Sequence, residues 1–133
     1  MSPDRAAWTR AFAGDTDVIR ANKYHARICT VDGIRFDSRK EARRYQELRL
    51  LWTAGAISFI ELQPEFLITV RERWRDDGAW IPCGRYRADF RYVDLVTGEV
   101  VIEDAKSDAT KTTAYRLRKR LVEAIYGITI REV

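Results

Sequence analysis

Cysteine and histidine are almost missing from this chain. Its 133 residues hold two cysteines, Cys29 and Cys83, and one histidine, His25. There is no CxxC pair, which excludes a thiolate zinc site, and one histidine excludes a multi-histidine metal centre. Both thiols are expected to be reduced, as in a cytosolic protein. His25 reads as a structural or surface residue. Long apolar runs are missing too: none approaches the roughly 18 residues that a membrane span needs. The first residues carry Asp4, Arg5 and Arg10 without an apolar stretch, so no secretory leader is expected. Repeats, low-complexity tracts and linkers are also lacking.

What is present suits one domain with a real core. The chain is 46% apolar and 33% charged. Lys and Arg number 24 against 20 Asp and Glu, a net charge of +4. That excess permits binding to a polyanion without requiring it.

Residues 1–22 read as an appended helical arm. Ser2-Pro3 starts it, Trp8 and Phe12 give it one apolar side, and Gly14 stops it. The arm suits internal packing or a dimer contact. Asp32-Gly33 predicts a hairpin turn between Arg27 to Thr30 and Ile34 to Phe36. Ser38-Arg39-Lys40-Glu41 fits a capping box and predicts a helix from about Arg39 to Ala54, stopped by Gly55. Its apolar stripe is Ala42, Tyr45, Leu48, Leu51 and Trp52, and Glu41 lies on or beside that stripe. Alternation predicts a strand over Glu65 to Arg71, with a turn at Asp76-Asp77-Gly78 and Arg73, Trp74 and Arg75 near the hairpin tip. A second helix is expected from about Thr112 to Tyr126, stopped by Gly127. Ala114, Leu117, Leu121, Ala124 and Ile125 form its apolar side, and Arg116, Lys119, Arg120 and Glu123 lie opposite. Ile128 to Val133 forms a last strand. The order reads as α+β or α/β, with residues 23–133 as the domain.

The chemistry concentrates between Tyr86 and Lys106. Two runs rich in Val, Ile, Phe and Tyr flank Asp94 to Gly98, a hairpin signature. The second run, Val100 to Lys106, ends in Glu103-Asp104-Ala105-Lys106. Strand side chains alternate, so Ile102, Asp104 and Lys106 share one face and Val101, Glu103 and Ala105 the other. Asp89, in the partner run, can bring a second carboxylate to Asp104. One reading is a salt bridge at a sheet edge, worth little. The other is a divalent-cation site of hard oxygens: Asp89, Asp104, the Ala105 carbonyl, and Glu41 from the first helix. Lys106 then acts on a water or on the charge of a phosphate. Glu41 is equally the glutamate of the capping box. Lys111, Arg116, Arg118, Lys119 and Arg120 form either a solvated face or a phosphate-binding surface.

Tyr86-x-Ala88-Asp89-Phe90, followed fifteen residues on by Asp104-Ala105-Lys106, resembles the PD-(D/E)XK nuclease superfamily. The likeness is closest to a branch of small phage and prophage proteins described as Holliday-junction-resolvase-like. Supporting segments are Val31 to Ala42, Glu61-Leu62-Gln63-Pro64-x-Phe66, Tyr115 to Leu121, and Tyr126-Gly127-Ile128. The resemblance covers roughly Lys23 to Val133. It departs at Ala88, where the superfamily name has proline.

The resemblance implies a restriction-endonuclease-like core, a mixed central sheet flanked by helices in α-β-β-β-α-β order. It maps the helix glutamate to Glu41, the motif aspartate to Asp89, and the final acid and lysine to Asp104 and Lys106. Glu103 is the rival for that acid, but alternation turns it away from Lys106. Gln63 is either a site-lining residue, as a similar segment is in the endonuclease subunit of Tn7-type transposases, or a strand-entry residue before proline. The expected activity is Mg²⁺-dependent endodeoxyribonuclease cleavage, with Mn²⁺ as a substitute, on branched DNA in recombination. A homodimer, a cytoplasmic location in a bacterial host, and phosphate contacts from Lys111, Arg116, Lys119 and Arg120 go with it. The alternatives are a transposon-end or restriction-like nuclease subunit and a non-catalytic DNA-binding module.

Overall fold

The computed structural model describes residues 20–21, 27–73 and 77–133. Residues 1–19 and 22 of the expected N-terminal arm, His25, and Trp74, Arg75 and Asp76, expected near a hairpin tip, lie outside the described residues; Arg20 and Ala21, counted in the expected helical arm, form a strand. The chain divides into two compact units, Met1–Leu50 and Leu51–Val133.

In the first unit, β1 (Arg20–Ala21), β2 (Arg27–Val31) and β3 (Ile34–Phe36) form an antiparallel sheet in that order. The β2–β3 turn needs two residues at positive φ, which Asp32 at 53° and Gly33 at 77° supply. Helix α1 (Arg39–Thr53) begins here. Ser38 Oγ accepts the Glu41 amide at 3.1 Å, the hydrogen bond that a capping box requires. Ala42, Tyr45 and Leu48 are buried one turn apart, and the Tyr45 ring packs on Phe36 with centroids 5.0 Å apart. Arg49 pairs with Asp32 and ties the helix to the turn. Burial, with Asp32 nearby, pushes the Tyr45 phenol up to about 12.

The second unit opens on the end of α1. The amides of Gly55 (φ +78°) and Ala56 bond the carbonyls of Trp52 and Leu51, each at 3.0 Å. That is a Schellman close, and it needs glycine at the left-handed position. Leu51 is 41% exposed, so the buried stripe of α1 stops short of its expected end.

Strands β4 (Glu61–Leu62), β7 (Phe90–Val93), β8 (Val100–Asp104) and β9 (Ile130–Glu132) form a four-stranded sheet in the order β4-β7-β8-β9. β7 runs antiparallel to β8, across a loop in which Asp94 Oδ1 accepts the amides of Val96 and Thr97. β8 and β9 are parallel, which demands a crossover; helix α2 (Thr113–Tyr126) provides it. Thr112 caps α2 by accepting the Tyr115 amide at 3.1 Å, and Gly127 closes it at φ +63°.

β5 (Glu65–Arg71) and β6 (Trp80–Arg87) form an antiparallel pair. Its register continues that of β4–β7: Leu62 faces Phe90, and three residues along each strand Glu65 faces Arg87. The interruption between them is Gln63-Pro64 against Ala88-Asp89. There the Gln63 amide bonds the Asp89 carbonyl at 2.9 Å, and the Ala88 amide bonds the Pro64 carbonyl at 3.1 Å. Gln63 sits at φ 51°, a left-handed conformation uncommon outside glycine. One long ribbon is thus kinked at Asp89.

The core beneath the kink is Phe66, Ile68, Tyr86, Ala88, Ile102, Val122 and Ile130. The expected packing face of α2 is overturned here. Leu117 is 59%, Leu121 36% and Ile125 41% exposed, while Val122 is fully buried. Tyr115, Val122 and Tyr126 turn toward the sheet with Lys119 and Glu123. Polar groups with specific partners fix this rotation: Tyr126 Oη donates to the Leu67 carbonyl at 2.9 Å, and Glu123 Oε1 accepts the Ile130 amide at 2.9 Å. The architecture is mixed α and β. Among the described residues, no helix is long and apolar enough to cross a membrane.

Candidate functional site

Apolar alternation drives Ile102 into the core under α2, and Asp104, two residues on, points to the same side. Asp104 is fully buried. Its Oδ2 accepts a hydrogen bond from Tyr86 Oη, and its Oδ1 has Lys106 Nζ 3.4 Å away. Oδ1 is buried and makes no hydrogen bond of proper geometry among the described residues. The alternation expected for Asp104 and Lys106 therefore brings acid and ammonium together.

Asp89 reaches the same segment from the kink. Its Oδ2 accepts the amide of Ala105 at 2.7 Å, between Asp104 and Lys106. Its own amide bonds the Glu103 carbonyl at 3.0 Å, and its carbonyl takes the Gln63 amide. The left-handed Gln63 is part of what holds Asp89 in place. Local strain of this kind is characteristic of functional positions.

Glu103, the rival acid, faces the other way. It is fully buried, accepts Tyr92 Oη at 2.6 Å, and lies 3.8 Å from Arg131 Nη1. Glu41 belongs to the first unit, where its amide is capped by Ser38 and its side chain is half-buried.

Two tyrosines complete the Asp104 environment, and the sequence reading missed their part in it. The rings of Tyr86 and Tyr115 lie 6.2 Å apart, and Lys106 Nζ stands 5.6 Å from the Tyr115 centroid. Burial, and then the bond to Asp104, raises the Tyr86 phenol far above its ordinary range; burial and the Asp104 charge raise Tyr115. Tyr86 opens the Tyr-x-Ala-Asp-Phe segment, yet only the fold aims it at Asp104.

The basic residues divide. Lys111 and Lys119 each reach Glu132 at 2.7 Å, and their charge is matched inside the fold. These hydrogen bonds hold the Glu132 carboxyl down at about 2. Arg116, Arg118 and Arg120 remain exposed on α2.

Residues 21–130 match the family described as Protein of unknown function (DUF1064). The chain belongs to this family. No curated protein and no solved structure gives a match.

The donors at the site are all oxygens, which suits a hard cation such as Mg²⁺ or Mn²⁺. Among the described residues, no group of three or more His, Cys, Asp or Glu could hold a metal ion. Mg²⁺ is commonly held by only one or two carboxylates and keeps several waters. Asp89 and Asp104, the latter with an Oδ1 that makes no hydrogen bond among the described residues, supply the two carboxylates of that mode.

Proposed function

We propose that this protein is a Mg²⁺-dependent endodeoxyribonuclease of the PD-(D/E)XK type, hydrolysing DNA phosphodiesters. The observation that carries the reading is the convergence at the end of β8. Asp104 and Lys106 form an ion pair on one face, and Asp89 is bonded to the amide between them. The mixed sheet, with a helix before it and a crossover helix between its parallel strands, supports the restriction-endonuclease-like core.

Asp89 and Asp104 would hold the cation, with the Ala105 carbonyl as a further ligand; Mn²⁺ would substitute. When bound, such a cation stabilises charge on a phosphate and acidifies water. Lys106 holds its ammonium beside Asp104, where it can donate to a phosphate oxygen or orient the attacking water. In the reaction one P–O bond forms from water, one P–O bond breaks, and a proton passes to the leaving oxygen. Arg116 and Arg120 contact backbone phosphates, whereas Lys111 and Lys119 brace the α2–β9 seam. Branched DNA is the substrate class that the resemblance implies, and a two-fold dimer would present the matched pair of sites that symmetric cutting needs.

The test is a panel of linear, nicked, flapped and four-way DNAs incubated with the purified chain and Mg²⁺ or Mn²⁺. Cleavage selective for four-way DNA and lost in Asp104→Asn is expected. Cleavage that persists at the wild-type rate in Asp104→Asn overturns the site. No cleavage of any DNA form with either metal overturns the enzyme and favours a DNA-binding module.

A further inference from the structure

The end of β8 carries two fully buried acids in succession, and each accepts a tyrosine hydroxyl. On one face Tyr92 Oη donates to Glu103 Oε1 at 2.6 Å, and Arg131 stands near the same oxygen. On the other face Tyr86 Oη donates to Asp104 Oδ2. Chemically the pairs are alike, but their settings differ. Among the described residues, Asp104 keeps a buried oxygen without a hydrogen bond, and Lys106 and the Asp89–Ala105 bond lie beside it.

A carboxylate exchanges its two oxygens by rotating about one bond. A donor fixed on one oxygen stops that exchange and decides which oxygen a ligand meets. Tyr86 is suited to this. Its ring is buried in the core beside Ile102, and it precedes the kink that carries Asp89. The strand that delivers one acid therefore also sets the orientation of the other.

We propose that Tyr86 is a positioning residue of the metal centre: it fixes Asp104 through Oδ2 and thereby presents Oδ1 to a divalent cation. The inference rests on the metal-centre reading above. Groups that orient a metal-binding side chain typically change metal affinity by about 10- to 100-fold when removed.

The experiment is calorimetric titration of the full chain with Mn²⁺ alone, for wild type, Tyr86→Phe, Tyr92→Phe and Asp104→Asn. Melting temperatures of the metal-free proteins are recorded alongside. Tyr86→Phe is expected to weaken Mn²⁺ by about 10-fold. Tyr92→Phe, which loses an equivalent buried bond on the opposite face, keeps the wild-type affinity while its melting temperature falls by a similar amount. Unchanged affinity in Tyr86→Phe, with binding abolished in Asp104→Asn, overturns the positioning role and leaves the metal centre standing. Equal weakening in both phenylalanine variants also overturns it. No Mn²⁺ binding by the wild type overturns the metal centre and this inference with it. Should Tyr86→Phe not fold, the wild-type tyrosine absorption answers. A difference band that saturates with the calorimetric affinity, and is absent in Asp104→Asn, is expected; no such band overturns the proposal.

Discussion

Asp104 ends β8 and Glu132 ends β9, and the two are register partners on parallel strands. Their carboxyl groups are treated in opposite ways. Glu132 keeps some exposure, and each of its oxygens has a lysine ammonium at 2.7 Å. Asp104 is fully buried, has the Lys106 ammonium at 3.4 Å, accepts the Tyr86 phenol, and among the described residues leaves an oxygen without a hydrogen bond. A buried, under-satisfied carboxylate is costly, whereas a saturated ion network at the rim is ordinary structure. On the proposed reading, the contrast separates an acid that serves the fold from an acid that the fold tolerates for its chemistry.

Exchanging each acid for its amide tests that separation most strongly. Asp104→Asn is expected to lower Mg²⁺-dependent DNA cleavage by about 1000-fold, the loss of several kcal/mol of charge stabilisation. Its melting temperature should hold or rise, because a neutral amide is cheaper to bury than a charge. Glu132→Gln should do the reverse, with cleavage within about twofold of wild type and a lower melting temperature. Equal losses of cleavage in both variants would erase the distinction. Lys106→Ala comes next, with cleavage falling by about 100-fold and Glu132→Gln unaffected on the same substrate.

How far the sequence foretold this arrangement differs by element. The β2–β3 turn was legible because Asp-Gly has few other uses. So was α1, because Ser38 and Glu41 mark its start and Ala42, Tyr45 and Leu48 keep helical spacing on a buried face. The pairing of Asp104 with Lys106, and the turning away of Glu103, follow from alternation alone. The face of α2 was not legible. Its Leu117, Leu121 and Ile125 make the stronger apolar pattern, yet the helix packs through Tyr115, Val122 and Tyr126 with polar partners on the sheet. Periodicity weighs apolar surface and cannot weigh a hydrogen bond to the Leu67 carbonyl. The roles of Tyr86 and Lys119 were hidden for the same reason: each depends on a long-range partner, Asp104 or Glu132.

The smaller effects refine the structural side of the comparison. Glu132→Gln leaves Lys111 and Lys119 facing a neutral side chain, and a loss of about 1 kcal/mol is expected at neutral pH, a few degrees of melting temperature. The loss should shrink in high salt, because the seam lies at the surface.

Acid supplies the finest test, and its sign is fixed. The two lysine hydrogen bonds hold the Glu132 carboxyl at about 2, below its ordinary 4.5. A depressed acid contributes stability that is present above its unfolded pKa and is lost as pH falls toward the folded one. The contribution is therefore complete above about pH 5 and drains away from about pH 4.5 down to 2. Glu132→Gln never has it. Melting curves of wild type and Glu132→Gln, followed by circular dichroism from pH 7 to pH 2, should stand apart at neutral pH and converge in acid. Lys111 behaves as the mirror image: its bonds to Glu132 and Asp108 raise its pKa, so its share persists below the ordinary lysine value of 10.5 and is lost only as pH climbs past it. Curves that stay parallel down to pH 2 would mean that the paired charges at the α2–β9 seam do not stabilise it, and the contrast with Asp104 would lose its structural half.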